Sequence, residues 1–163
     1  MRSMAEATHT TVPRARLSPP RAIALGTLIV GVLDGLDAVI FFGLRGASPT
    51  RIFQGIAYSV LGRPTYSHGL RSAALGVLLH FMVACGIVTV YVLSSRRLTA
   101  LRDRPLVYGP LYGIAAYFVM NLVVIPLTAI GYRGFTTAPL VNGLLIHIFG
   151  VGLPTALIAS RTR

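Results

Sequence analysis

Four long, almost wholly apolar stretches run along this chain, at residues 22–44, 72–94, 107–130 and 138–159. Short polar segments containing glycine or proline separate them. A helix that crosses a bilayer needs roughly 20 apolar residues, so each stretch is predicted to span. Inside hydrocarbon every backbone N–H and C=O must find a partner within the chain, and for segments of this length that means α-helix. The connections at 96–106 and 131–137 are short, and short connections join antiparallel neighbours. The pattern predicts an all-α protein: a four-helix transmembrane bundle, up-down-up-down, occupying residues 21–163.

The first connection, residues 45–70, is too long for a turn and carries a helical pattern of its own. Ser48 suits an N-cap and Pro49 the first helical position. Ile52, Phe53, Ile56, Val60 and Leu61 then recur at helical spacing, with Arg51, Gln54 and Ser59 on other faces, and Gly62 and Arg63-Pro64 close the pattern. About 13 residues cannot span, so this short helix is expected to lie in the interface as an anchor; a lid over the bundle is the alternative. Pro126 and Pro154 fall inside predicted spans, where they should kink the helix and release the carbonyls of Leu122 and Gly150.

Composition agrees: 54% of the 163 residues are apolar and 12% charged, a balance suited to lipid rather than water. The net charge of +11 rests on fifteen arginines and no lysine. Ten of them lie on one side of the predicted membrane: Arg2, Arg14, Arg16 and Arg21 in the N-terminal tail, Arg96, Arg97, Arg102 and Arg104 in the second connection, and Arg161 and Arg163 at the end. Arg45, Arg51, Arg63, Arg71 and Arg133 lie on the other. The positive-inside rule then places both termini in the cytoplasm. No basic stripe with interleaved aromatics remains outside the spans, so nucleic acid is not an expected partner. Arginine without lysine fits a GC-rich coding sequence and a bacterial inner membrane.

Residues 1–20, rich in Thr, Pro, Ser and Arg, read as a disordered cytoplasmic tail. The apolar run that follows is too long for a secretory leader, holds two aspartates and has no small-x-small cleavage site, so it is expected to stay as a span. The single cysteine, Cys85, lies within the second span and reads as a small packing residue.

Asp34 and Asp37 are the only formally charged side chains within the predicted spans. An unpaired charge at mid-helix costs roughly 2.5–3.5 kcal/mol on insertion scales, so both must face something other than lipid. At about 1.5 Å per residue, Asp37 and Asp34 lie roughly 10 and 15 Å from the outer end of the first span. By the same measure His80 lies about 12 Å down the second, Asn121 and His147 about 14 Å down the third and fourth, and Asn142 near 6 Å. Small residues share their faces: Gly31 and Ala38 with Asp34, Gly76 and Ala84 with His80, Gly143 and Gly150 with His147. Contact between helices in lipid favours such residues. Asp34, Asp37, His80, Asn121 and His147 are therefore expected to meet in one buried polar site.

Two carboxylates three residues apart repel, so both are ionised only with a cation beside them. A protonated aspartate, a charged histidine or a bound metal would each resolve this. No transition-metal ligand motif is present, and a haem held between His80 and His147 would sit badly beside carboxylates, so no cofactor is expected. Nucleophile elbows, zinc-protease His-Glu pairs and phosphate-cradling loops are all missing, so no enzyme is expected. Intramembrane aspartyl proteases draw their aspartates from two helices, unlike this pair.

The run Tyr117-Phe118-Val119-Met120-Asn121-Leu122-Val123-Val124-Ile125-Pro126-Leu127 and the segment Asn142-Gly143-Leu144-Leu145-Ile146-His147 resemble the YagU-like bacterial inner-membrane proteins, which also have an extended loop after the first span. The resemblance implies a small four-span protein and transfers no catalytic residue. The expected role is a multi-pass membrane protein whose polar site handles protons or a small cation. The alternative is a structural or accessory subunit whose polar residues only fix helix packing. Its expected partners are the lipid bilayer and other copies of itself, through the GxxxG pairs Gly31–Gly35 or Gly109–Gly113.

Overall fold

The structure, a computed structural model, describes residues 17–162. Its long helices are α1 (Pro19–Gly43), α3 (Gly69–Arg97), and two composite spans, Pro105–Leu127 and Thr137–Ala159. All four are long and apolar enough to cross a membrane, and they make the chain a multi-pass membrane protein with an all-α, four-helix fold. Between α1 and α3 lies α2 (Pro49–Leu61), and α4 (Ala100–Asp103) is one turn in the second connection. The third span consists of α5 (Pro105–Val119), a π-helical stretch Met120–Val124 and a final 3-10 turn. The fourth consists of α6 (Thr137–Ile146), a π-helical stretch His147–Gly152 and α7 (Leu153–Ala159).

α1 starts three residues before the apolar run because Pro19 and Pro20 suit a first turn, where a missing N–H costs nothing. Just before it, the Leu17 N–H donates to the Arg161 carbonyl at 2.8 Å, and Leu17 pairs with Thr162 as an isolated parallel bridge. Of the tail expected to be disordered, residues 1–20, residues 1–16 lie outside those described, while Leu17 is bridged to Thr162 and Pro19 and Pro20 open α1.

Glycine sets the seams. A Cβ on Gly26 would press into the Val88 side chain and one on Gly31 into the Phe81 ring, which lets α1 lie antiparallel against α3. Gly109 and Gly113 bring α5 onto the fourth span in the same way, against Leu153, Ala156 and the backbone at His147. Large side chains such as Leu28, Leu36, Ile40, Leu78 and Leu111 point outward, the inversion of small-in and large-out that lipid favours. Both GxxxG faces are thus occupied by helices of the same chain.

At the end carrying the termini the core is dense: Ala22, Val88, Tyr91, Val92, Ala156 and Ala159 are all buried. The Tyr91 hydroxyl donates to the Leu101 carbonyl at 2.9 Å and the Tyr112 hydroxyl to the Ile87 carbonyl at 2.6 Å. Their rings meet edge-on, 4.9 Å between centroids. These bonds fasten the second connection and the third span to α3.

The opposite end is built differently. The Ser48 hydroxyl caps α2 by accepting the Arg51 N–H at 3.3 Å, and Gly62, at φ 64°, ends the helix in a conformation that L side chains rarely adopt. Gly76 has no Cβ to obstruct the Phe53 carbonyl, so α2 lies directly on α3. Gln54 turns inward instead of facing polar surroundings, because partners wait there: its Nε2 donates to the Gly69 carbonyl at 2.9 Å and the Ser72 hydroxyl at 3.3 Å. The Ala129 N–H donates to the Ser59 carbonyl at 3.0 Å, tying the far end of α2 to the connection after the third span. The amphipathic helix in the first loop is a roof strapped across the bundle.

Pro126 and Pro154 each follow a π-helical stretch. A proline supplies no N–H and crowds the carbonyl four residues before it; widening the preceding turn relieves the clash. The disturbance expected at Leu122 and Gly150 therefore begins earlier and takes in Asn121 and His147.

Candidate functional site

The wide turns and the glycine seams together bring the polar side chains to the middle of the bundle. Asp34 projects from α1, His80 from α3 and His147 from the π stretch of the fourth span. His80 Nδ1 lies 3.9 Å from Asp34 Oδ2, and His147 Nδ1 lies 4.0 Å from Asp34 Oδ1. Side-chain exposure is 28% for Asp34 but 11% and 14% for the histidines, so the carboxylate faces open space while the rings are packed.

Backbone carbonyls fix the proton positions on both rings. His80 Nε2 is 2.8 Å from the Gly31 carbonyl, and a carbonyl only accepts, so Nε2 carries the proton and Nδ1 is left as a bare acceptor in the neutral ring. Gly35 makes that approach possible, since a Cβ there would stand 3.3 Å from His80 Nε2. His147 Nδ1 likewise donates to the Gly143 carbonyl at 2.9 Å, leaving its Nε2 as an acceptor. Among the described residues no fixed N–H or O–H lies within hydrogen-bond distance of the Asp34 carboxylate. A lone pair on His80 therefore faces a carboxylate across 3.9 Å. Such a pair of acceptors is favourable when a proton, a cation or a bridging water lies between them.

Asp37, one turn nearer the loop end, has a different neighbour: Asn142 Nδ2 donates to its Oδ2 at 2.7 Å. Asn121 donates to the Tyr117 carbonyl of its own helix at 2.9 Å, so its amide is already engaged, although the residue borders the site. Of the five predicted residues, Asp34, His80 and His147 converge, Asn121 flanks them, and Asp37 forms a separate pair. Asn142 carries as much of the Asp37 environment as any of them. The signal for it was an asparagine a few ångströms from Asp37 in depth, well within the error of a helix boundary.

Two cavities meet at this cluster. One, of about 550 Å³, opens toward the loop end between α1, α2 and α6, with Arg51 and Arg133 on its rim and Asp34, Asp37 and Asn142 deeper in. Arg51 stacks its guanidinium 3.6 Å from the centre of the Tyr66 ring. The other, of about 310 Å³, lies between the second and third spans beneath α2. Its walls are apolar, from Leu79 and Val83 on one side to Met120 and Val124 on the other. Asp34, His80, Asn121 and His147 border both cavities.

The ring orientations do not suit a haem held by both histidines, because His80 Nε2, the nitrogen that would reach the iron, is bonded to Gly31. Among the described residues, no group of three or more His, Cys, Asp or Glu, the Asp34 cluster included, is arranged to hold a metal ion. The Cys85 Sγ lies 3.9 Å from the Thr89 hydroxyl. Comparison with protein-family models, curated proteins and solved structures finds no match to this chain.

Proposed function

We propose that this membrane protein moves protons, or a small monovalent cation in their place, through the Asp34–His80–His147 cluster. The observation that carries this reading is the bare Nδ1 of His80 set 3.9 Å from a carboxylate that has no fixed donor. At 3.9 Å the two groups exchange a proton through a bridging water or after a side-chain shift of about 1 Å, and the wider cavity gives the pair a route to water at the loop end. Asp37, held by Asn142, stabilises a second negative site along that route. The arginine distribution supports a loop end outside and termini in the cytoplasm, and arginine without lysine supports a bacterial inner membrane.

The test is proton movement into liposomes containing the purified protein and an entrapped pH-sensitive dye, under an imposed potential. Wild type is expected to acidify or alkalinise the lumen faster than empty vesicles; Asp34→Asn, folded and inserted equally well, is expected to fall to the empty-vesicle rate. Unchanged flux in Asp34→Asn, for protons and for sodium and potassium alike, rejects the reading and leaves the polar residues as packing elements.

A further inference from the structure

We propose that the 310 Å³ cavity is a binding site for an amphipathic primary amine, reached sideways from the bilayer through the seam between the second and third spans. The proposal rests on the reading of Asp34 and His80 as a proton-sharing pair and names what displaces that proton.

Four features of the cavity select this ligand. Its walls reach the lipid-facing surface: Val83 and Val124, one on each wall, are each 37% exposed. Its apolar interior and its volume suit a ligand of roughly a dozen heavy atoms, at the lower limit of ordinary small-molecule pockets. Its polar end presents acceptors, the Asp34 carboxylate and His80 Nδ1, which call for a donor with positive charge. No arginine borders it; Arg51 and Arg133 stand on the rim of the other cavity. An anion would meet a carboxylate here, and a neutral hydrocarbon would leave the acceptors unpaired.

The two cavities share Asp34, so one carboxylate is open to the bilayer on one side and to the loop end on the other. In the exchange, an alkylammonium ion seats its nitrogen against Asp34 and the proton held between Asp34 and His80 leaves through the wider cavity. One cation enters, one proton departs and no covalent bond to carbon changes. The roof formed by α2 and its tie from Ala129 to Ser59 closes the cavity on the loop side, which leaves the seam as the amine's way in.

The experiment is isothermal titration of the full-length protein in lipid nanodiscs with three probes of one shape: 4-phenylbutylamine, 4-phenylbutanol and 4-phenylbutyrate. Empty nanodiscs give the partitioning background. The amine is expected to bind saturably and at least about tenfold tighter than the alcohol, with no saturable heat from the butyrate. Repeating the titration in two buffers of different ionisation enthalpy is expected to reveal release of up to one proton per amine. Asp34→Asn should remove both the preference for amine and the proton release. Val83→Trp and Val124→Trp, which fill the seam from opposite walls, should each abolish amine binding while dye-reported proton movement continues. Equal binding of amine and alcohol, amine binding without proton release, or undiminished binding in both tryptophan variants overturns the proposal. If the amine fails to bind while proton movement still depends on Asp34, the lateral site is wrong and the proton reading stands. If Asp34→Asn changes neither, both fall.

Discussion

The two ends of this bundle use the same four helices for opposite purposes. At the terminus end, glycine and alanine let backbones touch, and Tyr91, Val92 and Ala159 are sealed from any solvent. Toward the loop end, wide turns and ionisable groups interrupt those seams, and two cavities open. Lipid supplies no hydrophobic drive to press helices together, so close contact depends on side-chain size. Where small residues line up the bundle shuts, and where they give way to His, Asn and Asp it parts. The contrast is that of a clamp and a chamber.

The most severe way to break the clamp is Gly152→Val. A Cβ there would run into the Gly109 carbonyl and the Gly113 backbone, neither of which can move aside. A loss of more than about 3 kcal/mol is expected, seen as disappearance of the monodisperse peak when detergent-extracted protein is gel-filtered. Tyr91→Phe is milder: it removes the hydrogen bond to Leu101 but keeps the ring pair, and should cost about 1 kcal/mol in reversible detergent unfolding. The chamber should respond less. A double-mutant cycle over Asp37→Ala and Asn142→Ala is expected to give a coupling of about 0.6 kcal/mol, the usual worth of a side-chain hydrogen bond between helices in a membrane. A coupling above about 2 kcal/mol would mean that this pair is a structural anchor, and the contrast between ends would weaken. Smallest of all in stability is Asp34→Asn, which removes a charge without opening a cavity and should leave the unfolding midpoint at or above that of wild type. If that variant unfolds as readily as Gly152→Val, the polar cluster is holding the helices together and the two ends do not differ.

Much of this division was legible in the order of residues. The four spans follow from apolar length, and the helix in the first loop from Ser48-Pro49 at one end and Gly62 at the other. The shared depth of Asp34, His80 and His147 survives in space because antiparallel helices of similar length keep their midpoints level. Three things were not legible. Helical spacing put Gln54 off the apolar face, and only the folded chain brings Ser72 and the Gly69 carbonyl to it from fifteen or more residues away. Proline predicts trouble in a helix but not whether a kink or a widened turn absorbs it, and that choice is what aims Asn121 and His147. GxxxG spacing marks a face that wants a close neighbour without saying whose; here the neighbour belongs to the same chain.

The strap between Leu17 and Arg161 carries one more implication. Because the first and last helices begin and finish at a single point, a few added residues could join them covalently and the break could move to the second connection, which lies at the same end. Such a rearranged gene would thread its third helix first and its second last while keeping the glycine seams between the helices. Among the described residues, the helices therefore close into a ring at that strap.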